Sequence, residues 1–295
     1  MSISSPAFAE RFGNILGAGR AIFAFAIVAL GIENVVCARH FASLYSQAPH
    51  SRFISFPNFP YLPAIPAVAF IFGVALAACA VGLLVKRTLV PAAMVIAGLF
   101  FLCTVVLEAP KYAAIPGSMV LRTRLFEPLA IATLACLLPG RAAIPPFLER
   151  ASRYLLAASL IVFGVDHFLA LAPIGTLIPN WIPWHVFWIA FFGAGFIAAG
   201  VSIGLDVLLQ WGAASLGLMF AVWVFTLHVP RTFLGLYGGH PRNPEEWASL
   251  FIAIALWGGS WALARVTRPP YPLLPTDYPS PTSPTQTKNS TLTAL

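Results

Sequence analysis

Residues 153–231 read RYLLAASLIVFGVDHFLALAPIGTLIPNWIPWHVFWIAFFGAGFIAAGVSIGLDVLLQWGAASLGLMFAVWVFTLHVPR. Three apolar helices run through this stretch. They carry Asp166-His167, Trp181-Ile182-Pro183, His185 and His228-Val229-Pro230-Arg231, and nearly everything else is Leu, Ile, Val, Phe, Ala, Gly or Trp. A charge at the centre of a bilayer costs about 2.5–3.5 kcal/mol on the most lenient insertion scale. An aspartate and three histidines in such a segment therefore need a reason.

The rest of the chain has the same character. Over 295 residues it is 59% hydrophobic and 9% charged, with mean hydropathy +0.84. Soluble domains carry roughly 25% charged residues, so this chain lacks the means to cover a water-facing surface. Its apolar runs approach the ~20 residues that cross a ~30 Å hydrocarbon core as helix. They are continuous rather than alternating, which excludes a barrel. The net charge of +7 is not a nucleic-acid signature, because the basic residues sit at segment ends, where Arg and Lys reach the head groups. Cys37, Cys79, Cys103 and Cys136 fall in four different runs with no C-x-x-C spacing and read as small buried thiols.

Eight spans follow, at about 20–41, 66–85, 89–108, 119–138, 154–172, 184–205, 208–228 and 246–264. The fourth has the shortest apolar core and opens on Arg122 and Arg124. The chain divides into an N-terminal segment (1–19), a first four-helix repeat (20–140), a linker (141–152), a second repeat (153–268) and a Pro/Ser/Thr-rich tail (269–295) expected to be disordered. The expected fold is thus an all-α integral membrane protein, with eight transmembrane helices in two pseudo-symmetric four-helix bundles.

The repeat rests on matched positions. Gly31-Ile32-Glu33-Asn34 aligns with Gly164-Val165-Asp166-His167 at an offset of 133. After an insertion of thirteen residues in the first loop the offset is 120. Tyr61-Leu62-Pro63 then aligns with Trp181-Ile182-Pro183, Phe72-Gly73 with Phe192-Gly193, and Glu108-Ala109-Pro110-Lys111 with His228-Val229-Pro230-Arg231. Glu127 falls opposite Glu246 or Trp247. Four spans per repeat set both halves in the same direction across the bilayer, related by an axis along its normal. Gly193, Gly195, Gly200, Gly212 and Gly217 permit close helix contacts.

Ten Lys and Arg (11, 20, 86, 87, 141, 150, 153, 265, 268 and 288) lie on the side of the termini and seven (39, 52, 111, 122, 124, 231 and 242) on the other. That predicts cytoplasmic termini. On the opposite side the topology gathers Glu33, Asn34, His40, Tyr61, Glu108, Lys111 and Glu127 from the first half. From the second it gathers Asp166, His167, Trp181, His185, His228, Arg231, Glu245 and Glu246. The loop from Ala42 to Ile65, with Phe53, Phe56, Phe59 and Tyr61 among prolines, reads as an interfacial lid over them.

Several chemistries suit such a set. Asp166, His167, His228 and Glu246 include zinc- or iron-type donors, although no tight spacing supports a metal. A proton relay and a quinone-like amphiphile docked among Trp181, Trp184 and Trp188 are the other site readings. The plain reading is structural: Asp166 neutralises Arg231, and Glu33 neutralises Lys111. Glu245 and Glu246, after Asn243-Pro244, then serve as helix-start residues.

At Phe163-Gly164-Val165-Asp166-His167-Phe168, Ile178-Pro179-Asn180-Trp181-Ile182-Pro183 and Phe187-Trp188 the chain resembles the DoxX-like membrane proteins. Ile197-Ala198-Ala199-Gly200, His228-Val229-Pro230-Arg231 and Glu246-Trp247 continue the likeness. Members of that family are small four-span bundles, so the resemblance implies a fused pair. The family takes its name from a subunit of an archaeal complex linked to thiosulfate and quinone oxidoreduction. The resemblance therefore implies a bacterial-type inner-membrane protein, an accessory or quinone-associated subunit of a redox system with membrane redox subunits as partners. Asn34 stands in the first half for His167, and Glu108 for His228, which makes the second half the working one. The alternatives are a small-molecule transporter or binding protein, and an assembly factor without ligand.

Overall fold

The computed structural model describes residues 13–47, 66–239, 241 and 244–267, with side chains at 37–47, 66, 244 and 245 left out. The lid over 48–65, the tail, Tyr61 and the side chains of His40 and Glu245 therefore lie outside the described residues. All described regular structure is helical. The elements are α1 (Gly19–Gln47), α2 (Pro66–Gly82), α3 (Leu89–Leu102), α4 (Ala109–Ala114), α5 (Met119–Leu137), α6 (Pro146–Leu169), α7 (Leu171–Gly175), α8 (His185–Leu205), α9 (Leu209–Trp223), α10 (Val229–Leu234) and α11 (Pro244–Val266).

Helices occupy all eight expected positions, but six segments have the length and apolar character to cross a membrane: Gly13–Val36, Leu89–Ala114, Pro146–Leu169, His185–Leu205, Leu209–Leu234 and Glu246–Val266. Helix α2 has 17 residues, about 26 Å at 1.5 Å per residue, which falls short of the ~30 Å core. Helix α5 is long enough but carries Arg122, Arg124 and Glu127 near its start. Two boundaries also move. Helix α1 runs on to Gln47, past the loop start expected at Ala42. Pro146, with its φ preset for a first turn, starts α6 inside the expected 141–152 linker.

Each long apolar helix presents large side chains outward. Phe25, Ile71, Phe187 and Phe225 are each at least half exposed, a surface suited to lipid and costly in water. Inside, Phe23, Ile27, Leu30, Leu76, Ile96, Phe100, Leu134, Leu156 and Leu160 are fully buried. Glycines set the closest approaches. A Cβ on Gly31 would stand 2.6 Å from the Gly73 carbonyl, and one on Gly164 would stand 2.6 Å from the Gly193 carbonyl. Each is well inside van der Waals contact, so α1 on α2 and α6 on α8 need the missing side chains.

The packing order positions the site. Helix α1 lies against α2 and α11, α6 lies against α8 and α5, and α5 touches α11. Two self-contained four-helix units would close α5 onto α1. Instead the last helix of each half packs on the first helix of the other, so α5 becomes a wall of the second half. At the end away from the expected cluster, Arg153 Nε meets Glu149 Oε1 at 2.7 Å, and its Nη1 donates to the carbonyls of Ile203 (3.1 Å) and Gly204 (3.2 Å). Arg141 spans Glu149 (3.1 Å) and Asp206, tying the connection between the halves to the α8–α9 turn.

Candidate functional site

Helical winding breaks twice, and the second break shapes the site. Ahead of α4 and α10 the chain forms π-turns, Cys103–Glu108 and Val224–His228. Pro110 and Pro230 follow as second residues of the next helices. A proline ring cannot donate a backbone hydrogen bond and crowds the preceding turn, and widening that turn accommodates it. The bulge carries His228 inward at the end of α9.

His228 lines a cavity of about 270 Å³ enclosed by α5, α6, α8, α9 and α11. Thr123 and Glu127 enter from α5, Asp166 and His167 from α6, and Ser249 from α11. Carbon walls, among them Phe163, Phe196, Phe220 and Trp223, complete it. A few convergent polar groups on mostly apolar walls are the usual make-up of a small-molecule site.

Each of the two histidines carries a ring nitrogen with spare hydrogen-bonding capacity. His167 Nδ1 is 2.7 Å from the Phe163 carbonyl. A carbonyl only accepts, so Nδ1 carries the hydrogen, and Nε2 of the neutral ring is left as an acceptor. That Nε2 is buried without a hydrogen-bond partner among the described residues, and so is His228 Nδ1. Phe196 and Trp223 hold the His167 ring at centroid distances of 5.2 and 5.8 Å.

Asp166 is committed elsewhere. Its Oδ1 accepts from Arg122 Nε at 2.8 Å and from Arg122 Nη2, and its Oδ2 accepts from Thr123 Oγ1 at 3.2 Å. The expected partner, Arg231, instead grips Glu246 with Nε (3.0 Å) and Nη2 (2.5 Å) and donates from Nη1 to the Tyr237 carbonyl at 2.5 Å. The reason is packing, since α5 lies along α6 and delivers Arg122 before Arg231 can reach. Lys111 likewise pairs with Glu108 on its own turn at 3.0 Å, not with Glu33. Glu33 keeps a buried Oε2 without a hydrogen-bond partner among the described residues.

The structure thus brings together Asp166, His167, His228 and Glu127, the last assigned from sequence to the first half's cluster. Arg231 and Glu246 stand outside the cavity as a bidentate pair between α10 and α11, and Glu246 is a paired carboxylate rather than only a helix-start residue. His185 opens α8 and lines neither this cavity nor its neighbour. Trp181 lines the neighbour. Among the described residues no three of His, Cys, Asp and Glu converge as metal ligands, so the set Asp166, His167, His228 and Glu246 does not form. In the first half Asn34 is buried and donates to the Leu30 carbonyl at 2.8 Å.

Sequence reading missed Arg122, Thr123, Ser249 and the aromatic wall. Arg122 had been counted as an interfacial cation. The one signal for it lies in its own span, 119–138, which carries two arginines, Arg122 and Arg124, against one carboxylate, Glu127. No protein-family model matches the chain, no curated protein matches it, and no solved structure matches it.

Proposed function

We propose that the chain is a DoxX-like inner-membrane protein of eight spans, duplicated from a four-span ancestor, whose second half binds a quinone-type amphiphile for a membrane redox system. The termini would be cytoplasmic and the cavity near the outer face. The duplication draws support from features at constant offsets. The pairs α3 and α9, α4 and α10, and the two π-turns between them recur 120 residues apart or within one residue of it. The glycine contacts recur too: Gly31 with Gly73, Gly164 with Gly193.

The observation that carries the binding reading is the pair of buried, unpartnered imidazole nitrogens, His167 Nε2 and His228 Nδ1, on one cavity inside a membrane-type bundle. A buried polar atom left unpaired costs about 1–3 kcal/mol. A ring bearing hydroxyl or carbonyl oxygens removes that cost twice, and aromatic walls suit its faces. A quinone supplies reversible transfer of two electrons and two protons when bound. The chain's own part is to orient the ring and handle protons at its oxygens: His167 Nε2 accepts from a ring hydroxyl, while Glu127 lies beside it on the wall. Asp166, held by Arg122 and Thr123, fixes the helix end from which His167 projects.

The test is binding of decylubiquinone and its quinol to the purified full chain in nanodiscs, with native mass spectrometry of the untreated protein for co-purified ligand. His167→Ala and His228→Ala should each weaken quinol binding by about ten-fold in protein that remains folded. Equal affinity in both variants, or no binding to the parent protein, sinks the reading. Solute flux into proteoliposomes that needs no electron donor and vanishes in Asp166→Asn would replace it with transport.

A further inference from the structure

Beside the polar cavity lies a second one of about 330 Å³, and the two share Leu177, Trp223 and Leu227 as a common wall. The second is bounded by the segment before α8, by α8 itself and by the outer face of α9. No Asp, Glu, Lys, Arg or His lines it. Its Thr226 hydroxyl is spent on the Val222 carbonyl at 2.7 Å, and Trp181 Nε1 is spent on the Tyr237 hydroxyl at 3.1 Å. One donor, Trp188 Nε1, is buried without a hydrogen-bond partner among the described residues, and the remaining wall is carbon, with Ile182, Pro183, Ile189 and Phe192 among it. The rim is open to the lipid side, since Trp181 is 69% and Val222 40% exposed.

We infer that this second cavity receives the apolar tail of the amphiphile whose polar ring occupies the first, with Trp223 and Leu227 as the divide between them. The inference rests on the binding reading above and adds to it the ligand class: one molecule with a hydrogen-bonding ring and a flexible hydrocarbon chain. Three observations carry it. The cavities adjoin, with Leu177, Trp223 and Leu227 lining both, so a ring in one and a tail in the other would meet at those side chains. Their chemistry is divided, with carboxylates and imidazoles in the first and neither in the second. Together their volumes come to about 600 Å³, within the ~300–1,000 Å³ range of small-molecule sites. Trp223 presents its ring to both: it lies 5.8 Å from His167 and 5.6 Å from Phe192. A head group and the first carbons of its tail would thus pack on the same indole.

The experiment compares two probes on the full chain in nanodiscs. Duroquinone has the ring and no tail, and decylubiquinone has both. Ile182→Trp fills the second cavity from its loop, and Val222→Phe fills it independently from α9; neither residue touches the first cavity. Each variant should weaken decylubiquinone by at least about ten-fold, the scale of misfit in an apolar pocket, and leave duroquinone within about two-fold. If both probes weaken together, or neither does, the tail assignment is overturned while the head site stands. If the parent protein binds neither probe, the binding reading falls and takes this inference with it.

Discussion

Asn34 and His167 stand 133 residues apart and make the same bond. Asn34 Nδ2 donates to the carbonyl four residues back, at Leu30, over 2.8 Å. His167 Nδ1 does so to Phe163 over 2.7 Å. The amide carries its donor on a short side chain held against its own helix. The imidazole has a second nitrogen on the far side of its ring, and that nitrogen is buried and unpaired. A like divergence recurs two spans later. Glu108 and Lys111, three residues apart, pair with each other. His228 and Arg231 have the same spacing, but an imidazole gives a guanidinium no counter-charge. Arg231 therefore crosses to Glu246 on α11, and His228 Nδ1 is left facing no partner. In the first half Asn34 bonds to its own helix and Glu108 pairs with Lys111, while Glu33 Oε2 is buried without a hydrogen-bond partner among the described residues. In the second half His167 and His228 both line the cavity, and His167 Nε2 and His228 Nδ1 are left without a hydrogen-bond partner among the described residues.

Arg231 should give the largest effect. Arg231→Ala leaves Glu246, 8% exposed, without its bidentate partner. Breaking one side of a buried pair costs about 3–5 kcal/mol, read as a fall in the detergent-solubilised melting transition. Arg231→Lys should recover only part of it, because an ammonium cannot hold both carboxylate oxygens and the Tyr237 carbonyl at once. Lys111→Arg, at the matching place, should be tolerated, since that pair is local to one turn. Equal penalties for the two conservative exchanges would erase the contrast between the halves.

Next in size are the glycine contacts, where the halves should agree. Gly31→Val and Gly164→Val each drive a side chain into a carbonyl of the facing helix, and overpacking of this kind costs about 1–3 kcal/mol. Matching losses of melting temperature are expected. A large loss at one position and none at the other would break the symmetry on which the comparison depends.

A smaller stability effect with a sharper readout comes from His167→Asn, which writes the first half's residue into the second. The bond to Phe163 survives in kind, so stability should move by less than about 1 kcal/mol. Decylubiquinol binding should fall by roughly ten-fold, because the nitrogen that accepts from a ring hydroxyl is gone. A variant that binds as well as its parent would mean that Nε2 does not meet the ligand.

Much of this was legible in the sequence, for definite reasons. Apolar run length and the scarcity of charge dictate helices in a membrane whatever their arrangement. The motifs Glu108-Ala109-Pro110-Lys111 and His228-Val229-Pro230-Arg231 each adjoin a π-turn, because a proline in a helix forces a local break. What could not be read was partnership between helices. Glu127 belongs by sequence to the first half and by packing to the second half's cavity, because α5 docks on α6. The same docking gave Asp166 to Arg122. A period of 3.6 residues says which face of a helix is unusual, not which neighbour that face meets.

The smallest effect lies at the opposite end, where the halves differ by charge. Asp206 stands 120 residues after Lys86. Lys86 is exposed at its turn, whereas Asp206, with φ +61° after α8, binds Arg141. The Arg141 hydrogen bond holds the Asp206 carboxyl below its ordinary 3.8 against the opposing pull of partial burial, and the same bond raises Arg141. A carboxyl depressed on folding contributes stability above its unfolded value and loses it as pH falls through the folded one. The contribution should therefore be complete at neutral pH and disappear only in acid below about 4. Asp206 is 38% exposed at its side chain, so solvent screening limits the pair to less than about 1 kcal/mol. Asp206→Asn should lower the melting temperature slightly at neutral pH and in low salt, and match its parent once acid has protonated the aspartate. A difference that persists in acid would show that the turn geometry at Asp206, rather than its charge, secures the connection between the halves.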